Sequence, residues 1–346
     1  MSVIIGDIGG TNIRLQLISS HNMVLASYHT NTKSCNSCIH AIQGLLAQQA
    51  LTAAPRPSAL RLAFAGCVSD DRRSARGSNL AHWGEISASE LEAVFCLKRA
   101  EFFNDLEASV LGLRVLPVNE IIEIRGNLKA ESLARQSRLV VGIGTGVGVA
   151  FAPTPATVCP TEAGWRTFAP RSDFDLDLIK FVRNRKFLDR VVVEHIVGGN
   201  AITDIYGFLS SRNVGPNKST TTDDLKPSKI YALAEDGDSV AVEAIRRQWE
   251  YLGREIAEQV LSYIPRGGVF LTGGVVSKVR KFIDTPFLRG FTESLGNKIL
   301  DDLVSKIPVF LVEQEDLPLL GLMSMNDSTA SSYFSTKATD IERYPT

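Results

Sequence analysis

The sequence predicts an α/β protein of two related lobes, and three observations predict it. A strand, a glycine turn and a return strand open the chain, from Ile4 through Gly9-Gly10 to Ile18. A second hairpin of the same kind spans Leu139 to Ala152, with Gly144-Thr145-Gly146-Val147-Gly148 at its tip. Around them, short apolar strands alternate with stretches of helical period, and the repeated hairpin reads as an internal repeat. The 346 residues, 44% hydrophobic and 22% charged, are enough for two domains with ample core.

The elements follow in order. Residues 3–8, 13–18 and 23–28 read as a three-stranded meander. Ile39, Ile42, Leu45 and Leu46 fall at helical spacing and predict a helix over 36–51. Leu60–Ala65 is a strand, and 66–77 a polar loop. Ser87 and Glu90, three apart, form the pattern of a capping box at the start of a helix. Ala100–Phe103 is a strand ending at Asn104-Asp105, with a helix from about 106 to Val115. After the second hairpin, 174–213 reads as mainly helical, 214–228 as a polar surface loop, and 230–263 as two helices. Val269–Leu271 is a buried strand that ends in Thr272-Gly273-Gly274 and leads into a helix. Val309–Val312 is the last strand and Pro318–Met325 the last helix.

Composition narrows the function classes. A net charge of −1 gives no footprint for nucleic acid or an anionic membrane surface. No apolar run reaches membrane-spanning length. The N-terminus enters a strand at once without a basic leader, so a cytoplasmic protein is expected. Cys35-x-x-Cys38 has redox or zinc spacing, but no second pair completes a site. The five cysteines are therefore read as incidental.

The first turn carries the strongest chemical signal. Asp7 precedes Gly9-Gly10, and Thr11 and Asn12 follow. Paired glycines let backbone N–H groups approach an anion, and a carboxylate beside them can hold Mg²⁺ directly or through water. The turn has no Walker lysine and leads into a strand, so neither a P-loop nor a dinucleotide fingerprint fits. A glycine hairpin without a ligand is the plainer alternative.

Four features stand together: Asp7 with its Gly-Gly-Thr-Asn turn, Asn104-Asp105 at a strand end, Gly144–Gly148, and Leu271-Thr272-Gly273-Gly274. The set resembles the sugar kinases of the actin/hexokinase/Hsp70 superfamily. Phe102–Ala108, Glu162-Ala163-Gly164-Trp165 and Phe168-Ala169-Pro170 make it most similar to the bacterial-type glucokinase family. The resemblance runs from Ile4 to about Met325. It implies a two-lobed ribonuclease H-like (actin/hexokinase) fold with an interlobe active-site cleft. The small lobe would take residues 1–105, rejoined by a C-terminal helix at about 317–326. The large lobe would take 106–316, with 327–346 as a polar tail.

The resemblance also implies roles. Asp7 would sit near Mg²⁺, and Gly9, Gly10, Thr11 and Asn12 near the β- and γ-phosphates of ATP. Gly144, Thr145 and Gly146 would cradle the phosphates from the other lobe, and Gly273 and Gly274 would pack on the adenosine. Asn104, Asp105, Glu162 and Glu194 match sugar-binding positions, Asn79 is a weaker candidate, and Asp105 would be the general base. The partner implied is a small-molecule sugar, and the family suggests a homodimer. Plainer readings stand beside these: a helix cap for Asn104-Asp105, a solvated acid for Glu162 and Glu194, a simple turn for Gly144–Gly148.

One residue departs from the family. Trp165 stands where the family has a histidine that helps hold the sugar. Indole N–H donates but cannot accept, and the ring offers an apolar face. A glucokinase is expected, with another hexose, an amino sugar or a cyclitol as the alternative substrate. A non-catalytic sugar sensor is a second alternative. Such relatives carry a DNA-binding module before the first hairpin, and a strand starting at Val3 leaves no room for one. An actin- or Hsp70-like ATPase is a third, and it would need no Glu162.

Overall fold

The structure is a computed structural model that describes residues 2–49, 55–77, 80–126, 136–154, 157–213, 225–276, 280 and 284–326. The chain forms two compact units. One takes residues up to Pro117, 154–160 and the chain from Asp316; the other takes 118–153 and 161–315. The expected tail at 327–346 lies outside the described residues.

The first unit opens with β1 (Ser2–Ile8), β2 (Asn12–Ser19) and β3 (Val24–Asn31), followed by α1 (Cys38–Gln49) and β4 (Pro57–Phe64). The stretch read as a polar loop is instead a small sheet of β5 (Gly66–Val68), β6 (Ser74–Gly77) and β7 (Ile86–Ser87). Its strands are too short and polar to show a period in the sequence. Next come α2 (Ala88–Phe95), β8 (Arg99–Asn104) and α3 (Asp105–Gly112). Ser87 does occupy the N-cap of α2, but the capping box does not form. The Ser87 hydroxyl pairs with Ser89 Oγ at 2.7 Å instead of capping the helix.

The main sheet runs β3-β2-β1-β4-β8, with β1, β4 and β8 parallel. Ile8, Phe64 and Asn104 stand side by side in register, so all three parallel strands end at one level. Both faces of β1 are covered. Ile4 and Ile8 join a core with Ile42 and Leu45 of α1, while Val3 and Ile5 join one with Phe103 and Ala108.

The second unit repeats this plan. Its sheet is built from β9 (Ile121–Arg125), β10 (Arg138–Ile143), β11 (Val147–Thr154), β13 (Val269–Thr272) and β14 (Val309–Val312), with β12 (Thr157–Thr161) as an edge strand. Their order is β12-β11-β10-β13-β14-β9, with β10, β13 and β14 parallel and Gly142, Thr272 and Val312 in register. The helices are α4 (Asp173–Lys186), α5 (Glu194–Val197), α6 (Ala201–Asn213), α7 (Pro227–Glu235), α8 (Ser239–Tyr263), α9 (Asp284–Phe291) and α10 (Lys298–Ser305). The long α8 is tied to α4 through buried Asp175, which accepts from Tyr251 Oη at 2.8 Å and Arg254 Nη2 at 3.1 Å. Burial opposes charge on Asp175, but these donors and the Arg171 N–H outweigh it and hold the carboxyl below its ordinary pKa.

The last helix, α11 (Leu317–Ser324), belongs to the first unit. It crosses α3 at backbone contact: a side chain at Gly321 would strike the Ala108 carbonyl, and one at Gly112 the Leu317 carbonyl. Leu319 and Leu322 complete the core under β1. This contact keeps α3 in the first unit, so the boundary expected at 105 falls at Pro117. Gly321→Ala is expected to cost about 1–3 kcal/mol of stability, as overpacking does. A lower urea midpoint with an unchanged slope is the measurement that checks it.

Candidate active site

In each unit the glycine turns and the singled-out carboxylates gather where parallel strands end. In open α/β sheets that edge is where ligands bind. At the first, Gly9 N donates to Asn12 O at 3.0 Å and closes the turn between β1 and β2. Thr11 and Asn12 are exposed at its tip, and Gly9 and Gly10 half-buried. Thr32, buried at the end of β3, braces the turn from outside: its N–H donates to Thr11 O at 2.9 Å and its hydroxyl to Gly9 O at 2.8 Å. Sequence reading missed Thr32, because its partners lie more than twenty residues away.

Asp7 pairs with Arg14 across the hairpin, Oδ2 to Nη1 3.6 Å, and Arg14 Nε lies 3.7 Å from Asp316 Oδ1. The Asp7 carboxyl is pushed up to about 7. Burial is the largest cause, the charges of Asp105 and Asp316 add to it, and Arg14 only partly offsets them. Asp7 and Asp105 are thus close enough to feel one another, as ends of β1 and β8 should be. The next two residues settle a question left open. Asn104 is the N-cap of α3: Oδ1 accepts from Leu106 N at 3.0 Å and Glu107 N at 3.3 Å, and Nδ2 donates to Gly66 O at 3.2 Å. Asp105 Oδ1 also accepts from Leu106 N, at 2.9 Å, which fixes its orientation at the strand end. The cap reading therefore holds for Asn104, whose remaining amide hydrogen is left for other partners.

In the second unit Gly144 N donates to Gly146 O at 3.0 Å within the turn between β10 and β11. A strap formed by α5 and Gly198–Asn200 closes on it, with Gly199 N donating to Gly144 O at 2.9 Å and Asn200 N to Thr145 O at 3.3 Å. Glu194, first residue of α5, accepts from Val147 N at 3.0 Å through Oε2. Its carboxylate occupies the space that a side chain at Gly146 would need. Gly146 is thus glycine because of a protein contact, whereas a side chain at Gly144 would meet nothing within 4 Å. Gly273 has φ +109° beside Ile143, a conformation glycine favours, and Gly274 stands in the open with Glu315 Oε1 nearest at 3.7 Å.

Glu162 precedes the single turn Ala163–Trp165. A side chain at Gly164 would strike the Val147 carbonyl, so this loop lies against the same residue that Glu194 holds. The Glu162 carboxyl sits above its ordinary pKa, chiefly from lost water and secondly from the charge of Glu194. Trp165 is 47% exposed, its ring edge-on to His195 with centroids 6.2 Å apart and its carbonyl held by Arg190 Nη2 at 3.2 Å. His195 Nδ1 accepts from Val192 N at 3.3 Å, leaving the proton on Nε2, and burial holds the ring below its ordinary pKa. Asn79 lies outside the described residues. Both thiols of the Cys35/Cys38 pair are free and buried, and burial pushes Cys38 up to about 12. No helix among the described residues is long and apolar enough to cross a membrane.

Two sheets of matching order, each with a glycine hairpin at its strand ends, define the two-lobed fold of the actin/hexokinase sugar kinases. Solved structures share it. A glucokinase from an Antarctic psychrotroph superposes with TM-score 0.72 at 25% identity, over 94% of this chain and 98% of its own. The glucokinase of Balamuthia mandrillaris, solved with glucose, gives 0.79 at 20% identity, over 94% and 93%. A glucokinase family model matches residues 4–329, and the chain belongs to that family. Among its relatives, the glucokinase of Rhizobium etli is 29% identical over 97% of this chain and 94% of its own length. That of Mesorhizobium japonicum is 28% identical over 92% and 90%.

Carbon-13 titration of the Glu162 carboxyl is expected to give a midpoint above that of a free glutamate. Glu194→Gln removes one of the two causes and should move that midpoint down.

Proposed function

We propose that the protein is an ATP-dependent glucokinase that moves the γ-phosphoryl group to the 6-hydroxyl of glucose, with Asp105 as general base. The observation that carries this reading is the placement of Asp105. It stands at the end of β8, level with the end of β1 and its phosphate-type turn across the intervening β4, with its carboxylate oriented by the first turn of α3. A sugar hydroxyl attacks phosphorus poorly unless its proton leaves as the new bond forms. A carboxylate held at that atom accepts the proton, which contributes roughly 10²–10⁴-fold. The rest of phosphoryl transfer is positioning and charge stabilisation.

The other residues fit those tasks. The N–H groups of Gly9 and Gly144 close their own turns, so the rest of the Gly9–Asn12 and Gly144–Gly146 backbone would face the phosphates, and the open space over Gly144 leaves room for close approach. Gly273 and Gly274 would lie under the adenosine. Glu162 and the free capacity of Glu194 and Asn104 would take up sugar hydroxyls, which lose water on binding and need partners. Mg²⁺ fits Asp7: the donor is a carboxylate whose pKa is raised first by burial and then by two neighbouring acids, where added positive charge is welcome. Such an ion would be held by one carboxylate, water and phosphates. When bound it would neutralise charge on the transferring group.

Coupled ADP release against hexoses, amino sugars and polyols tests the proposal. Turnover with glucose is expected, and Asp105→Asn should lower kcat by roughly 10²–10⁴-fold while KM for ATP stays within about twofold. No sugar-dependent turnover would overturn the reading. Trp165, exposed beside Glu162, should set affinity for the sugar and not for the nucleotide. Trp165→His is expected to lower KM for glucose several-fold and leave KM for ATP unchanged. Turnover confined to another sugar in the parent protein would make Trp165 the residue that excludes glucose.

A further inference from the structure

We propose that Glu194 is a positioning residue for the nucleotide's phosphate turn, acting through Val147 and Gly146. This rests on the reading of Gly144–Gly148 as that turn. The turn is weakly specified by its own sequence. Three of its five residues are glycine, and Thr145 at its tip is exposed. A glycine-rich loop has many backbone conformations, and its N–H groups converge on an anion in few of them. Something outside the loop must choose among them.

The structure provides two supports. One is backbone: Gly199 and Asn200 donate to the carbonyls of Gly144 and Thr145. It is backed by buried Gln248 of α8, whose Nε2 donates to Gly198 O at 2.6 Å. The other is the Glu194 side chain, which takes the Val147 N–H at the exit of the turn and fills the space over Gly146. An N–H bound to a carboxylate makes a bond roughly twice as strong as one to a neutral oxygen. Val147 is buried, so its N–H would lose more than a surface group if that acceptor left.

The same carboxylate also faces the sugar-side residues of this unit. Gly164 of the Glu162 loop lies on the Val147 carbonyl, and the charge of Glu194 is felt at Glu162. Val147 is therefore gripped from both sides: its N–H by Glu194, its carbonyl by the loop that carries Glu162. A residue that only bound sugar would have no need to reach the phosphate turn. Glu194 reaches it, and so its removal should be felt at the nucleotide even with no sugar present.

The test is the affinity for Mg-ADP alone, by calorimetry without sugar, on wild type, Glu194→Ala and Glu194→Gln, with melting curves for each. Glu194→Ala should weaken ADP binding by about tenfold, the loss expected when a buried N–H is left without its acceptor. Glu194→Gln should bind ADP within about twofold of wild type, because its amide oxygen still accepts from Val147. Both variants should bind glucose more weakly. If Glu194→Ala does not fold, Glu194→Asp replaces it: the charge stays, but the shorter side chain withdraws from Val147, and weaker ADP binding is again expected. ADP binding at wild-type strength in the Ala or Asp variant, with only glucose affinity reduced, overturns the proposal. So does a wild-type protein that binds no ADP. A wild-type protein that binds ADP but phosphorylates no sugar overturns the proposed function instead, and the same titrations still decide the role of Glu194.

Discussion

The parallel register of three strands in each unit is the constraint on which the rest depends. Because Ile8, Phe64 and Asn104 end level, Asp7 and Asp105 come within each other's field although 97 residues of chain separate them. Because Gly142, Thr272 and Val312 stand level, the turns after β10 and β13 lie at one edge as well. A one-residue slip in a strand turns every side chain to the opposite face. Here it would carry Asp7 to the wrong side of its sheet. Gly6 opposes that slip, because any side chain brought to its place would strike Leu15 and Leu62, so the packing that stabilises the sheet also fixes where Asp7 points.

The features most legible in the sequence were local. The glycine hairpins, the strand ending at Asn104 and the two helices of 230–263 were all visible as periodicity interrupted by turn residues. Legibility ended where a residue's meaning lay in a distant partner. Thr32 is an ordinary threonine until β3 brings it under the first turn. Gly146 read as a phosphate-cradling glycine, but its missing side chain makes room for Glu194. The boundary at 105 failed for a related reason: a helix is assigned to a unit by what it packs against, and α3 packs against α11, far along the chain. The capping box of α2 shows the opposite limit. Its residues are correctly spaced, but a neighbouring hydroxyl competes for the cap, as serine side chains often do near helix starts.

The two units handle the same element differently. The first holds its glycine turn with a neutral clamp, since Thr32 gives one backbone and one hydroxyl hydrogen bond. The second holds its turn with a carboxylate. A neutral clamp is indifferent to nearby charge, whereas a carboxylate beside a turn would repel an anion there unless N–H groups balance it. The Val147 N–H supplies part of that balance, and the strap's backbone supplies none, because its N–H groups are spent on carbonyls of the turn. The internal repeat thus conserves shape while its electrostatics diverge.

The return of α11 to the first unit orders events during synthesis. The second unit is drawn almost wholly from a continuous stretch, and a domain folds as a unit once its chain is available. The first unit begins to emerge earlier, yet on the face of β1 bearing Val3 and Ile5 the core shared with Phe103 and Ala108 lacks Leu319 and Leu322 until they arrive. Its sheet must therefore wait, with one apolar face only partly covered, while the later-made unit is completed. The unit whose chain begins first is thus the last to be finished.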